Sequence, residues 1–324
     1  IRDVERSRGL GDVYKRQIMS ILTRSKVTEI FCIADDFCKE FEKSTSELLL
    51  KEEDFHPGGN RKCSMSESEI ITILVCFHMG QFRNFKHYYL NYVSTTLASD
   101  FPDLLSYSRF IQIEHRVIIP LMMFIRLIGF GTCTGISFVD STKVAVCHNK
   151  RIRTNRVFKG MAEIGKSTMG WFYGFKLHLV CNDRGELLNF CLTKGNVDDR
   201  NPEVFNVLSR KLFGDLFADK GYISKKLFDT LWNEGIHLVT GIKSNMKNQL
   251  MGMREKILLR KRSVIETIND ELKNICQIEH SRHRGKANFL MNLIAGIAAY
   301  CLFEKKPSIK YEMEDTYGQL TMFG

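Results

Sequence analysis

The chain contains no C-x2-C pair among its ten cysteines, which argues against a zinc site. Unpaired thiols in a chain of 324 residues read as the reduced cysteines of a cytoplasmic protein rather than as a disulfide framework. There is no H-E-x-x-H helix and no G-x-S-x-G elbow, so neither zincin nor serine-hydrolase chemistry is indicated. No apolar run reaches the roughly 20 residues needed to cross a bilayer. Residues 117–131 are interrupted by Arg126 and residues 288–303 carry two asparagines, so both read as buried helices and no membrane partner is expected. Acid is also in short supply. Against 47 Lys and Arg there are 37 Asp and Glu, a net charge of +10, which favours a polyanionic partner.

What is present describes a folded protein of about two domains: 44% of residues are apolar and 26% charged. Residues 1–18 are polar and lack the apolar core of a signal peptide. The run RGLGDVYKRQ resembles translated sequencing adapter, so a natural start at Met19 is expected and 1–18 is read as a non-native or disordered leader. The alternative is a basic arm that touches DNA. Residues 19–132 read as a helical domain. Val27, Ile30, Ala34, Phe37 and Phe41 keep helical spacing, residues 51–62 with Pro57, Gly58 and Gly59 form a loop, and Ser66 with Glu69 makes a capping box. A third helix is expected over Tyr107 to Ile118. No recognition-helix signature stands out, so these helices read either as a module that binds a nucleic-acid end or as a bundle that braces the second domain or makes a dimer contact. His78, His87 and His115 are given no ligand role.

Residues 133–305 form the second domain, and its organising stretch is ISFVDSTK, Ile136 to Lys143. With no charge before Asp140, the strand is expected to be buried on both faces and to end at that carboxylate. Tyr173 to Cys181 alternates as a half-buried strand, with Lys176 and His178 on its polar side. Asn182 to Gly185 turns the chain into a third strand, Glu186 to Thr193, giving three successive antiparallel strands. Asp198 and Asp199 read as loop or cap acids ahead of an Asn201-capped helix starting at Pro202. A second strand, Asp215 to Asp219, also ends on a carboxylate, with Gly221 supplying a positive-φ exit. Ser224 then caps a helix, and His237 to Thr240 is a short strand. From Pro307 the tail, 306–324, is read as loosely ordered.

The third acid lies on a helix. In Arg260 to Ile275, the residues Ile265, Ile268, Leu272 and Ile275 form an apolar stripe, and Glu266 borders it. Arg262 and Lys273 lie along the same face as Glu266. Ser263 with Glu266 also fits a capping box, which would make Glu266 a local cap. Two strand-end aspartates and a helical glutamate suit Mg²⁺, which takes hard oxygen ligands. Two such ions about 4 Å apart serve phosphodiester displacement. A basic tract follows Asp140 (Lys143, Lys150, Arg151, Arg153, Arg156, Lys159, Lys166) and is expected to hold phosphates near the cut. A second runs from Lys243 and Lys247 to Arg262. Trp171 and Tyr173 either stack on an unpaired base or are edge aromatics of a strand.

The triplet FVDST, FADKGY and RSVIETINDELK resembles the Asp-Asp-Glu transposases of bacterial insertion sequences. The resemblance spans Met19 to the C-terminus. Arg262, Glu266 and Lys273 match the family signature Y-x2-R-x3-E-x6-K, whereas Leu259 stands where the tyrosine would be; HSRHRG, His280 to Gly285, is similar to a segment of one subgroup. The resemblance implies a ribonuclease H-like mixed sheet flanked by helices behind an all-helical N-terminal domain. It also implies Mg²⁺-dependent cleavage and strand transfer at the element ends. Asp140, Asp219 and Glu266 would be the catalytic residues, holding two Mg²⁺ for which Mn²⁺ substitutes. Arg262, Lys273, Lys150, Arg151 and Arg153 would contact double-stranded DNA, both element ends and target. A homodimer or higher oligomer on DNA, working at the bacterial nucleoid, is implied as well. A ribonuclease H-like nuclease that only hydrolyses, and an inactive DNA-binding descendant, are the competing expectations.

Overall fold

The computed structural model describes residues 22–49, 63–168, 170–242, 246, 251–279 and 283–309. The leader 1–18, the start at Met19, the loop 51–62, Lys243, Lys247, His280 to Arg282 and most of the tail lie outside the described residues.

The N-terminal region is helical, as its periodicity requires. Helix α1 (Arg24–Leu49) buries Val27, Ile30, Ala34 and Phe37. Helix α2 (Glu67–Met79) starts at the expected capping box: Ser66 Oγ accepts from the Glu69 amide at 3.2 Å, and Glu69 Oε2 accepts from the Ser66 amide at 2.7 Å. A helical stretch missed by periodicity follows at Phe85–Tyr88, Tyr89–Val93 and Ser94–Thr96. The single helix expected from Tyr107 to Ile118 divides into α3 (Tyr107–Ile113), a 3₁₀ turn Glu114–Val117, and α4 (Ile118–Phe124). Pro120 falls in the first turn of α4, where the missing amide needs no partner. The apolar stretch around α4 is buried only in part, because Ile119 and Leu127 face outward.

Among the described residues six strands make one mixed sheet: β1 (Ile136–Cys147), β2 (Glu163–Ser167), β3 (Gly170–Asn182), β4 (Leu187–Lys194), β5 (Gly214–Ala218) and β6 (Ile236–Thr240). The path runs β2-β3-β1-β5-β6, with β4 also paired to β3. The three expected antiparallel strands are β1, β3 and β4, while β5 runs parallel to β1 and β6 parallel to β5. The turn between β3 and β4 uses Gly185 at φ +75, and Asn182 Oδ1 accepts from the amides of Arg184 and Glu186.

Helices cover both faces, which completes the mixed, helix-flanked sheet that the ribonuclease H-like expectation required. On one face lie α5 (Pro202–Leu208) and α6 (Lys225–Asn233), beneath which Val139, Val180, Leu216 and Leu231 form a small core. Asn201 and Ser224 cap these two helices as expected. On the other face lie α7 (Met253–Lys261), α8 (Ser263–Asn274) and α9 (Lys286–Cys301). There Phe138 and Phe217 stack at 5.5 Å beneath the fully buried stripe Ile265, Ile268 and Leu272 of α8. Burying each such side chain stabilises the fold by roughly 1.5–3 kcal/mol. α9 packs against both α8 and α2, so one continuous core joins the N-terminal helices to this face of the sheet. Among the described residues no helix is long and apolar enough to cross a membrane.

Candidate active site

The parallel pairing of β1 with β5 ends at Phe138 and Phe217. Asp140 stands two residues beyond the first of these and Asp219 two beyond the second. Side chains two apart share a face of a sheet, so the register brings Asp140 to the face that α8 covers and directs Asp219 toward the same opening. Beyond that last pair the two strands part, since β5 stops at Ala218.

Asp140 is not the end of its strand, contrary to the expectation from sequence. β1 continues to Cys147 because β3 supplies an antiparallel partner as far as Tyr173. The opening at Asp140 comes from the loss of the β5 neighbour instead. Gly221 also differs from expectation: its φ is not positive, and it lies within a 3₁₀ turn, Lys220–Tyr222.

Glu266 is one turn into α8 and reaches back to Arg262. Arg262 Nη2 donates to Glu266 Oε1 at 2.7 Å and lies 3.9 Å from Asp219 Oδ1. Those carboxylate oxygens are therefore no farther apart than the sum of these two distances. No side chain caps the start of α8, so Glu266 does not form a capping box with Ser263. One turn further along, Asn269 Nδ2 donates to Asp140 Oδ2 at 3.0 Å. Burial pushes the Asp140 carboxyl up to about 6; the Ser141 amide and Arg262 pull it down, and the charges of Glu266 and Asp219 push it further up. Asp140, Asp219 and Glu266 thus converge on one edge of the sheet, with Arg262 among them.

The cations expected to meet DNA are placed differently. Lys273 Nζ lies 3.5 Å from Glu279 Oε2, and Glu279 Oε1 accepts from the Ala145 amide at 3.1 Å. Burial lowers the Lys273 pKa, and Asp140 is among the charges acting on it. Lys150, Arg151 and Arg153 lie exposed on the 3₁₀ turn Asn149–Thr154. The strand continues past Asp140 before this turn begins, at about 3.3 Å per residue, so these cations are separated from the acids by roughly 20 Å of chain.

Other groups near the site carry little sequence signal. Asp199 is not merely a loop acid: its Oδ1 accepts from Ser141 Oγ at 2.9 Å and from Lys176 Nζ at 3.1 Å. Lys176 and His178 were expected on a solvent-facing side, but the loop bearing Asp199 covers them. His178 is wholly buried and its imidazole is pulled down to about 4 by that burial. Tyr222 is buried beside the same groups, with its hydroxyl facing Ser141. Asn269 sits inside the ETIND run, three residues after Glu266; that spacing on a helix could have shown it.

The donor chemistry fits a hard divalent cation: three carboxylates from three elements, with one guanidinium as their local counter-charge. As they stand, no three His, Cys, Asp or Glu side chains among the described residues are grouped tightly enough to hold a metal ion. Arg262 takes up the space between Asp219 and Glu266.

A helix-flanked mixed sheet that gathers three acids at the parting of its central strands defines a domain of the ribonuclease H type. Residues 130–286 match the family model described as "Transposase DDE domain". A DDE domain implies metal-dependent phosphodiester cleavage and transfer, and the match supports a transposase function. The solved cryo-electron-microscopy structure of a piggyBac transposase synaptic complex with hairpin DNA is similar at 13% identity and a TM-score of 0.42, covering 90% of this chain and 76% of that one. No curated protein matches the chain.

Proposed function

We propose that this chain is the transposase of a bacterial insertion sequence, cutting the element ends and joining them to target DNA with Asp140, Asp219 and Glu266 as its catalytic carboxylates. The observation that carries this reading is Arg262, whose guanidinium lies within 4 Å of both Asp219 and Glu266 while both acids act on Asp140. Three elements distant in sequence present acid to one opening, and an all-structural role would not require that.

The carboxylates would hold two Mg²⁺ ions, for which Mn²⁺ substitutes. When bound, these supply Lewis-acid charge to the attacking and departing oxygens of an in-line displacement. The chain's own part is positional. Asn269 fixes the rotamer of Asp140, and Arg262, once released from the acids, grips a phosphate flanking the cut. Lys273 supports this edge through Glu279. Lys150, Arg151 and Arg153 hold the DNA backbone at a distance from the cut. The helical region 19–132 braces the domain 133–305, since α9 joins α2 and the sheet through one core. The acting form is a homodimer or higher oligomer on nucleoid DNA.

The deciding experiment supplies pre-cut element ends and a target plasmid. Joined products that depend on Asp140 support the proposal. Hydrolysis without joining would make the protein a nuclease, and binding without either would make it an inactive DNA-binding descendant.

A further inference from the structure

Helix α6 turns an aromatic face to solvent. Leu227 and Leu231 hold the helix against the sheet, while Lys225, Phe228, Asp229 and Trp232 fall at i, i+3, i+4 and i+7 on its outer side. Phe228 is 38% and Trp232 59% exposed, and their rings stack with centroids 5.9 Å apart. His237 meets both rings edge-on, at 6.3 and 5.7 Å, so this aromatic platform is braced from one side and open on the other.

The charges on this helix run against its dipole. Lys225 and Lys226 open the helix, its first turn carries no acid and its last turn no base, whereas the macrodipole favours the reverse. No ion pair among the described residues involves Lys225 or Asp229, and lysine four positions before an acid is the weaker order for a pair along one helix. An antiparallel second α6 removes both mismatches. It sets the lysines of each N-terminus beside the other helix's C-terminus, where cations are favoured. With a two-fold axis beside Phe228, each Phe228 packs on its copy. Each Lys225 then lies against the partner's Trp232, with the partner's Asp229 one turn away. Such self-complementarity is what a two-fold contact requires.

We propose that the outer face of α6 is the docking surface for a second copy of this chain, the two helices antiparallel and centred on Phe228. The proposal rests on the oligomeric part of the reading above and is independent of its catalytic part. Helices α6 and α8 cover opposite faces of the sheet, so this pairing leaves both carboxylate edges open to DNA. One helix pair is smaller than an obligate interface, so the free protein should associate at roughly micromolar concentration.

The test is sedimentation of the full chain without DNA over roughly 1–100 µM, with melting temperature and DNA affinity measured on the same samples. The wild-type mass is expected to rise toward twice that of the monomer. Trp232→Glu should hold the chain monomeric with its melting temperature unchanged, because the side chain is exposed, and Trp232→Ala should weaken association about tenfold. Lys225→Asp should weaken it as well, and adding Asp229→Lys should recover part of that loss by restoring the pair between copies. A wild-type chain that stays monomeric, a dimer indifferent to Trp232→Glu, or a double variant no better than Lys225→Asp would overturn the proposal. Trp232→Glu that lowers DNA affinity without changing the mass would make this face a DNA contact instead. None of these outcomes touches the catalytic reading, which fails only if cleavage is independent of Asp140.

Discussion

Asn269 Nδ2 donates to Asp140 Oδ2 at 3.0 Å, tying the helix of Glu266 to the central strand through the carboxylate itself. The bond is partly buried, and among the described residues Asn269 Oδ1 has no partner. Removing the amide therefore loses one hydrogen bond and also relieves one unsatisfied acceptor. Asn269→Ala should change stability by no more than about 1 kcal/mol while lowering the strand-cleavage rate about tenfold. Asn269→Asp, which sets a further negative charge against Asp140, should lower it more. Thermal unfolding and single-turnover cleavage on the same preparations separate the two effects; a wild-type rate in Asn269→Ala would remove the positioning role.

Protons should compete for this site. The Asp140 carboxyl is pushed from 3.8 up to about 6 and that of buried Glu114 from 4.5 up to about 8, in both cases chiefly by burial. A raised acid pKa means that the folded state keeps a proton the unfolded state has lost. Stability of the metal-free protein should therefore fall as pH rises, through the window from about 4 to 6 for Asp140 and up to about 8 for Glu114. Asp140→Asn should flatten the lower part of a melting-temperature profile and Glu114→Gln the upper part. A profile that rises across pH 4 to 8 would contradict both assignments.

Arg262 acts as an internal counter-ion where the proposal sets metal. Substituting alanine removes the cation between Asp219 and Glu266. The metal-free protein should lose stability, whereas stabilisation by added Mg²⁺ should set in at lower concentration than in wild type. DNA cleavage should still fall, because the phosphate grip is gone. Thermal shift against Mg²⁺ checks the first point, and an unchanged midpoint concentration would show that Arg262 and metal do not share the space.

Lys150, Arg151 and Arg153 lie a strand segment beyond the acids, so their contribution should be electrostatic holding. Replacing all three by alanine should weaken DNA binding and reduce the slope of log affinity against log salt by about 2–3. The cleavage rate of fully bound DNA should stay the same. A lower rate at saturation would bring this turn into the active site.

The sequence patterns reached further in the strands and caps than in the side-chain partnerships. The capping box at Ser66 and Glu69 was legible because it involves residues three apart on one helix. Asp140 and Asp219 stood out because an apolar run precedes each, and Glu266 because it borders a helical stripe. The position of Asp140 within a longer strand was not, since it depends on β3 continuing as a partner after β5 has stopped. The same S-x-x-E spacing that held at Ser66 misled at Ser263, where Arg262 outcompetes the local cap for Glu266. Lys176 and His178 looked solvent-facing because alternation reports a strand and its faces but not the loop that folds over it. β2 was missed because a short, half-exposed strand such as EIGKS has no periodic signal of its own.

Asp140, Asp219 and Glu266 are proposed to act as one catalytic set, and Glu266 is the member whose alternative role, as a helix cap, was most plausible. The most direct test is Mg²⁺-dependent strand cleavage by Glu266→Gln beside wild type, with DNA binding measured on the same samples. If the three acids work together, cleavage should be at least about a thousandfold slower, with DNA affinity within about threefold of wild type. Cleavage at the wild-type rate would contradict the shared site.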